Sequence, residues 1–242
     1  MKLLIIRHGD PDYQNDSLTE KGWREAELLA DRIEKLDIAA FYVSPLGRAR
    51  DTASVTLKRM NRTAETLDWL REFPVHMYDE CIGRERVLWD WLPACWTAEH
   101  AHYDMDRWME TPLMRELDVR SQYESVCNQL DALIASYGYV REENLYRAEQ
   151  PNRDTVALFS HFGLECVLIS HLLGISPMVL WHGTCAPPTS VTTLITEERR
   201  KGIATFRMNG FGDISHLYVA GETPSFSARF CETYDSMDER HD

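Results

Sequence analysis

The sequence LLIIRHG at residues 3–9 is the stretch that decides the fold. Four consecutive apolar residues, Leu3 to Ile6, are typical of a β-strand buried on both faces, as in a parallel sheet covered by helices. The run ends in Arg7 and His8, two side chains that are costly to bury without a partner. Because ligands of such sheets bind beyond the carboxyl ends of the strands, this junction is where a functional site is first expected.

The rest of the chain alternates between strand-like and helix-like segments. Residues 17–20 (SLTE) match a capping box, which predicts a helix beginning there with Trp23, Ala26, Ala30 and Ile33 on its buried face. Apolar runs predict further strands over residues 39–43, 65–70, 155–159, 190–196 and 203–208. Apolar residues at helical spacing predict further helices over residues 46–60, 123–137 and 164–173. This alternation predicts an α/β fold, a three-layer α/β/α arrangement with a mainly parallel central sheet.

The segment from about residue 73 to 120 interrupts this alternation. Four of the seven tryptophans lie in it, and Pro93 and Pro112 break its periodicity. We interpret it as a helical cap insertion within a single α/β domain that spans residues 1–242. Its tryptophans either form a small core of the cap itself, which is the interpretation we favour, or stack on part of a ligand.

Composition and charge exclude several classes of protein. Of the 242 residues, 44% are hydrophobic and 27% are charged, an ordinary balance for a globular chain. The formal net charge of −13 argues against nucleic-acid binding, which needs many Lys and Arg contacts to phosphates. No apolar run reaches the length of a membrane helix or a signal-peptide core, so we expect no membrane contact and a cytoplasmic location. The oligomeric state is unknown from the sequence.

The cysteines and the histidine-rich segment give no metal signature. Six scattered cysteines form no C-x-x-C pair, and we interpret them as reduced thiols. His100 and His102, with Asp104 and Asp106 nearby, lack a second ligand cluster and are typical of a solvated segment. We therefore expect neither a metal nor another cofactor.

Three predicted strand ends carry side chains suited to a phosphoryl group. Arg7 and His8 follow the first strand, Arg48 follows the second, and His161 follows a later one. Guanidinium groups fork onto phosphate oxygens, and a neutral imidazole can act as a nucleophile or a base. These residues predict a pocket for a phosphoryl group that contains a histidine. The alternative is that Arg7 and His8 pair internally with some of the 39 carboxylates.

Several sequence motifs of the chain resemble those of a known family. The motifs LIIRHG (4–9), SPLGRARDTA (44–53) and LFSHFG (158–163) occur in a fixed order, with LTEKG at 18–22 and DISHL at 213–217. Together they resemble the histidine phosphatase superfamily, which contains the cofactor-dependent phosphoglycerate mutases and acid phosphatases. The resemblance implies that His8 is the nucleophile, with its second ring nitrogen donating to a backbone carbonyl. It also implies that Arg7, Arg48 and His161 hold the phosphoryl oxygens.

The same resemblance suggests a proton donor. In this family a catalytic acid often follows the third strand in a Leu-x-Glu context, which residues 70–72 match. Glu72 is therefore the expected acid that protonates the leaving oxygen, with Asp79 and Glu80 as alternatives.

The implied activity is a metal-independent phosphomonoester hydrolase that acts through a phosphohistidine on a small phosphorylated metabolite. A phosphoglycerate mutase-type phosphoryl transferase and a non-catalytic phospholigand-binding protein are the alternatives. Many mutases carry an acid-Ser/Thr-x-x-Asn run after R-H-G. Here Pro11 and Gln14 replace the hydroxyl residue and the Asn, which favours a hydrolase. Phe162 stands where glycine is frequent and is expected to narrow the pocket.

Overall fold

A central sheet organises the chain in the computed structural model, which describes residues 1–80, 82–227 and 229–241. Numbered along the chain, the strands are β1 (Lys2–Arg7), β2 (Pro11–Asp12), β3 (Ser17–Leu18), β4 (Ala40–Val43), β5 (Glu65–Thr66), β6 (His76–Asp79), β7 (Arg84–Val87), β8 (Tyr139–Glu142), β9 (Leu145–Ala148), β10 (Thr155–Ser160), β11 (Val191–Arg200) and β12 (Ile203–Asp213). The helices are α1 (Glu20–Ile33), α2 (Gly47–Met60), α3 (Pro93–Trp96), α4 (Pro112–Glu116), α5 (Val119–Ser136), α6 (Phe162–Leu173), α7 (Pro177–Gly183) and α8 (Ser215–Val219). No helix in the described part of the chain is long and apolar enough to cross a membrane.

The central sheet has a parallel half and an antiparallel half. Within the described residues its eight strands lie in the order β5-β4-β10-β1-β11-β12-β9-β8. The three pairings from β5 to β1 are parallel, and the four from β1 to β8 are antiparallel. The α/β class is confirmed, and the parallel strands are those whose ends carry the predicted site.

Helices cover both faces of the sheet, as β1 shows. Successive side chains of a strand point to opposite faces. Leu3 and Ile5 pack in a cluster with residues of α5 and α6, whereas Leu4 and Ile6 pack in a second cluster with residues of α1 and α2. All four side chains are buried. The expected three-layer arrangement is thus confirmed.

Helix α1 begins where the capping box predicts, but it is rotated from the expected orientation. Its N-cap is Thr19, whose hydroxyl accepts a hydrogen bond from the Gly22 amide. A Cβ on Gly22 would lie 2.3 Å from the Asp10 carbonyl oxygen, so the absence of a side chain lets the helix start against the loop after β1. With Gly22 facing inward, Trp23 is 39% exposed and Leu29 is fully buried. The prediction of Trp23 as a core residue was wrong.

The cap segment contains a hairpin as well as the expected short helices. Strands β6 and β7 pair antiparallel, and α3, α4 and two 3-10 turns follow. A second unpredicted hairpin, β8–β9, follows α5. Exposed charged residues interrupt these short strands, such as Arg84 and Glu85 in β7 and Arg147 in β9, and this hides the strands from an analysis of apolar runs.

The tryptophans of the cap divide between two environments. Trp108 is fully buried and makes edge contacts with Tyr123 and Trp181, so it belongs to the protein core. Trp89 and Trp96 instead line a cavity at the edge of the cap. Trp108 thus packs in the main core of the domain, and stacking of the other tryptophans on a ligand stays a prediction.

One cysteine departs from the expected reduced state. Cys95 is disulfide-bonded, whereas Cys127, Cys166, Cys185 and Cys231 are reduced. Cys81 lies outside the described residues. Spacing along the chain gives no sign of a bond that depends on how the cap folds, which is why the sequence did not reveal it.

Candidate active site

The ends of three parallel strands meet at one edge of the sheet. Arg7 at the end of β1 lies beside Ser160 of β10, and the His8 amide donates to the Ser160 carbonyl at 3.1 Å. Beyond the end of β4, the Ser44 amide donates to the Phe159 carbonyl at 3.0 Å. His8, Ser44 and His161 are thereby brought together, although they lie far apart in the sequence.

The His8 imidazole is held in one tautomer. Its Nδ1 lies 2.7 Å from the Gly9 carbonyl oxygen, which can only accept, so Nδ1 carries the hydrogen and Nε2 keeps its lone pair. The ring is buried, and burial together with the charges of Arg7 and Arg48 holds the pKa of His8 well below its usual value. His8 is therefore a neutral imidazole at neutral pH, with Nε2 available as a nucleophile.

His161 lies next to His8 and is also neutral. The two ring centroids are 5.1 Å apart, and burial, followed by the neighbouring His8 and the arginines, lowers the pKa of His161 well below its usual value. The Ser44 hydroxyl accepts from the Leu46 amide and lies 2.8 Å from His161 Nε2. When Ser44 donates to Nε2, the buried Nδ1 carries the hydrogen. Nδ1 has no partner among the described residues.

Two guanidinium groups lie close to the two histidines. Arg7 is 4% exposed, and its Nη1 donates to the Ala186 carbonyl at 2.6 Å. No carboxylate of the described residues lies within ion-pair distance of Arg7, which weighs against the alternative of internal pairing. Arg48 is held by Asp16 at 2.8 Å, and each arginine keeps a buried Nε without an acceptor in the described chain. A buried cation in this state favours an anionic ligand.

Glu72 lies at the start of α6 beside these groups. Its Oε1 accepts from the Phe73 amide at 2.8 Å and from the Leu164 amide at 2.9 Å. Burial raises the pKa of Glu72, while these hydrogen bonds and the charges of Arg48 and Arg7 oppose the rise. Such a carboxyl group holds its proton to a higher pH than an exposed glutamate does, as a proton donor requires.

The two alternative acids have other surroundings. Asp79 is buried at the end of β6 and pairs with Arg86 at 3.4 Å, within the cap. Glu80 is exposed. The Glu72 carboxyl group, in contrast, is bonded to the first turn of α6, directly after His161.

Gly163 makes the position of Glu72 sterically attainable. A Cβ on Gly163 would lie 2.7 Å from Glu72 Oε1 and 2.5 Å from the indole of Trp89. Any larger residue would push one of these groups away from the helix terminus. The sequence placed Gly163 in the third motif but did not indicate this packing role.

The structure adds site residues that the sequence did not indicate. The C-terminal segment returns to the site, where the hydroxyls of Ser225 and Ser227 donate to the Asp10 carboxylate. The Ser227 carbonyl also lies 3.4 Å from Arg7 Nη1. More than 200 residues separate these partners, so no local pattern could have predicted the contacts. Within the described residues, no group of three or more His, Cys, Asp or Glu side chains is placed to hold a metal ion.

Glu165 is a buried carboxyl group behind the site, and it makes stability depend on pH. Burial raises its pKa to about 7, an effect only partly offset by Thr192 and Arg7. The native protein therefore binds more protons than the unfolded chain between the usual pKa of 4.5 and about 7, so stability falls as pH rises through this window.

We expect Glu165→Gln to remove this loss of stability. At about pH 8.5 its free energy of unfolding should exceed that of the wild type by on the order of 3 kcal/mol, and near pH 4 the two should agree. Urea unfolding across this pH range measures the difference. The exposed Glu124→Gln should follow the wild type throughout. A Glu165→Gln variant with the wild-type pH dependence would show that this carboxyl group is ionised in the folded protein.

Solved structures share this fold across nearly their whole length. A mutant phosphoserine phosphatase from Entamoeba histolytica, in complex with phosphoserine, superposes with a TM-score of 0.59 at 19% identity, covering 89% of this chain and 98% of that one. The mycobacterial glucosyl-3-phosphoglycerate phosphatase in complex with VO3 gives 0.57 at 21% identity, with coverages of 87% and 98%. At these identities the likeness shows the fold.

Sequence relatives and a family model give the same assignment. Phosphoserine phosphatase 1 of Hydrogenobacter thermophilus is 24% identical over 228 residues, which are 90% of this chain and 97% of the relative. A 2,3-bisphosphoglycerate-dependent phosphoglycerate mutase of Thermoplasma acidophilum is 38% identical over 73 residues, and this match spans 26% of the chain and about a third (36%) of the mutase. The model of the histidine phosphatase superfamily (branch 1) matches residues 3–209. With most of its length matched, the chain belongs to the histidine phosphatase superfamily.

Proposed function

We propose that this protein hydrolyses phosphomonoesters of small metabolites without a metal, through a phosphohistidine at His8. One observation carries the proposal: the buried imidazole of His8, with its lone pair on Nε2, lies close to the buried guanidinium of Arg7, which lacks a carboxylate partner among the described residues. A phosphoryl group supplies both the electrophile for the lone pair and the negative charge for the arginine.

In the first step, His8 Nε2 attacks the phosphorus atom, and the bond between phosphorus and the ester oxygen breaks. Arg7 and Arg48 donate to the non-bridging oxygens through their fixed N–H groups, and His161 donates through Nδ1. Because the cations are already positioned, little reorganisation accompanies the charge that spreads over these oxygens. Glu72 gives its proton to the departing alkoxide, which leaves as the alcohol.

In the second step, water hydrolyses the phosphohistidine. The Glu72 carboxylate takes a proton from the water as its oxygen attacks phosphorus, and the phosphorus–nitrogen bond breaks. Inorganic phosphate leaves, His8 recovers its neutral form, and Glu72 is again protonated. One residue thus serves as acid in the first step and as base in the second.

Two alternatives are less well supported. A mutase needs the phosphoryl group to return to a second hydroxyl of the substrate, and the run at residues 10–14 lacks the hydroxyl and Asn usual in mutases. A protein that only binds phosphate has no use for an unprotonated ring nitrogen at His8. The full-length relative and the solved structures are named phosphatases of phosphoserine and of glucosyl-3-phosphoglycerate, both small phosphate esters. We keep a cytoplasmic location as a prediction.

The proposal is tested by phosphate release and by trapping the intermediate. We expect the protein to release phosphate from p-nitrophenyl phosphate, with activity that survives dialysis against a chelator. Rapid quenching should give a phosphoprotein that is labile in acid and stable in base, as a phosphoramidate is. A base-labile acyl phosphate would indicate a carboxylate nucleophile. Complete loss of activity on chelation, restored by one divalent metal, would contradict the metal-independent site.

A further inference from the structure

An aromatic cavity of about 510 Å³ adjoins the candidate active site. This size lies within the range of about 300–1,000 Å³ that is typical of sites for whole small molecules. One wall comes from the cap, another from α6 and α7, and a third from the C-terminal segment. Its aromatic rings include Trp89, Trp91, Trp96, Phe162, Trp181 and Phe230.

The cavity begins where the leaving alcohol would depart. The Phe162 ring lies on its wall, with the Arg7 guanidinium carbon 6.0 Å from the ring centroid. Trp89, also on the wall, approaches the same face of Gly163 as the Glu72 carboxyl group. A phosphoryl group at Arg7, with its ester oxygen toward Glu72, would therefore direct the rest of its molecule into this cavity.

Three of the charged groups around the cavity pair with one another, whereas Arg229, which also lies on the wall, has no ion pair among the described residues. Arg86 lies 3.1 Å from Asp90, which also pairs with Arg240 from the C-terminal segment. Burial lowers the pKa of His182 to about 4, so this ring is neutral at pH 7, and it stacks on Trp96 with centroids 5.0 Å apart. The aromatic walls favour a flat occupant over a small zwitterion.

A small leaving alcohol would leave most of this cavity unfilled. The serine of phosphoserine carries two charges and few apolar atoms, so it gains little from indole walls. An aromatic ring gains from burial of its surface and from offset or edge contacts with the surrounding rings. The cavity is thus mismatched to serine and matched to an aromatic group.

We propose that the cavity binds the alcohol part of the substrate, and that this part carries a planar aromatic group. The inference rests on the proposed function, because that function places the ester oxygen at Glu72. It narrows the substrate from small phosphorylated metabolites in general to phosphomonoesters of aromatic-bearing alcohols.

Two esters with leaving alcohols of similar reactivity separate the effect of binding in the cavity from the effect of breaking the ester bond. 2-(2-Naphthyl)ethyl phosphate and propyl phosphate both release a primary alkyl alcohol, so the difference in their kcat/KM reports mainly on the cavity. We expect the naphthyl ester to have a kcat/KM on the order of a hundredfold higher, with phosphoserine no better than propyl phosphate. Equal values for the two alkyl esters, or phosphoserine as the best substrate, would overturn the proposal.

A cavity variant and a matched control localise the effect. Trp96→Leu should lower the ratio of naphthyl to propyl kcat/KM by roughly tenfold, because it removes an indole from the wall. Trp23→Leu changes a partly exposed indole on α1, away from the cavity, and should keep the wild-type ratio. A ratio unchanged in Trp96→Leu, or lowered equally in both variants, would count against the cavity.

Binding to an inactive variant distinguishes failure of this inference from failure of the proposed function. Calorimetry with His8→Ala should show tighter binding of naphthylethyl phosphate than of propyl phosphate, and the preference should weaken when Trp96→Leu is added. If no ester is hydrolysed by the wild type but this preference persists, the cavity assignment stands and the hydrolase fails. If both esters are hydrolysed and the binding preference is absent, the hydrolase stands and the aromatic substrate class fails.

Discussion

His8→Ala should lower the turnover of every phosphomonoester by roughly a thousandfold or more, because it removes the nitrogen that receives the phosphoryl group. The fold should survive the change. The hydrogen bonds that hold residue 8 in place, to the Ser160 carbonyl and from the Thr189 amide, use its backbone. Steady-state phosphate release, with a circular dichroism spectrum of each protein, measures both effects.

The same variant also tests the identity of the intermediate. Wild-type protein quenched during turnover of a labelled ester should carry label on His8, and His8→Ala should carry none. His76→Ala, which alters an exposed histidine of the cap hairpin, should retain both label and activity. Residual activity above a few per cent in His8→Ala, or label on another residue, would show that the nucleophile lies elsewhere.

The sequence was sufficient to predict the parallel half of the sheet and the groups at its edge. Strand β1 is buried on both faces, so its apolar run is continuous and easily recognised. The carboxyl ends of neighbouring parallel strands lie side by side, and for this reason the sequence predicts that Arg7, His8 and His161 lie together. The neutral state of the two histidines depends on the surrounding burial, which the motifs alone do not specify.

The rest of the site depends on contacts between distant segments. Ser225 and Ser227 reach Asp10 across more than 200 residues, and the Trp89 indole reaches Gly163 from the cap. No periodicity along the chain encodes such pairings. The rotation of α1 has the same origin, since it follows from the close approach of Gly22 to the backbone of Asp10 rather than from the hydrophobic pattern of the helix.

Glu72→Gln should distinguish an alkyl ester from an activated aryl ester. An alkoxide leaves poorly without a proton, and general acid catalysis contributes roughly 10²–10⁴-fold, so hydrolysis of propyl phosphate should fall by about that factor. p-Nitrophenolate is a stable anion, so phosphorylation of His8 by the aryl ester should be much less affected. Dephosphorylation still needs Glu72 as the base. A burst of nitrophenol followed by slow turnover is therefore expected in rapid-mixing experiments.

The pH dependence of kcat gives an independent measure of the same group. Below its raised pKa, Glu72 is protonated and can act as the acid, and above that pKa it has lost its proton. The kcat for an alkyl ester should therefore fall as pH rises through the pKa of Glu72. Glu72→Gln should lack this alkaline limb, because the amide does not titrate. In Asp79→Asn and Glu80→Gln the limb should persist, since neither carboxyl group acts on the leaving oxygen. If Glu72→Gln keeps wild-type rates on both esters while one of these two variants is selectively slow on the alkyl ester, the proton donor is the residue changed in that variant.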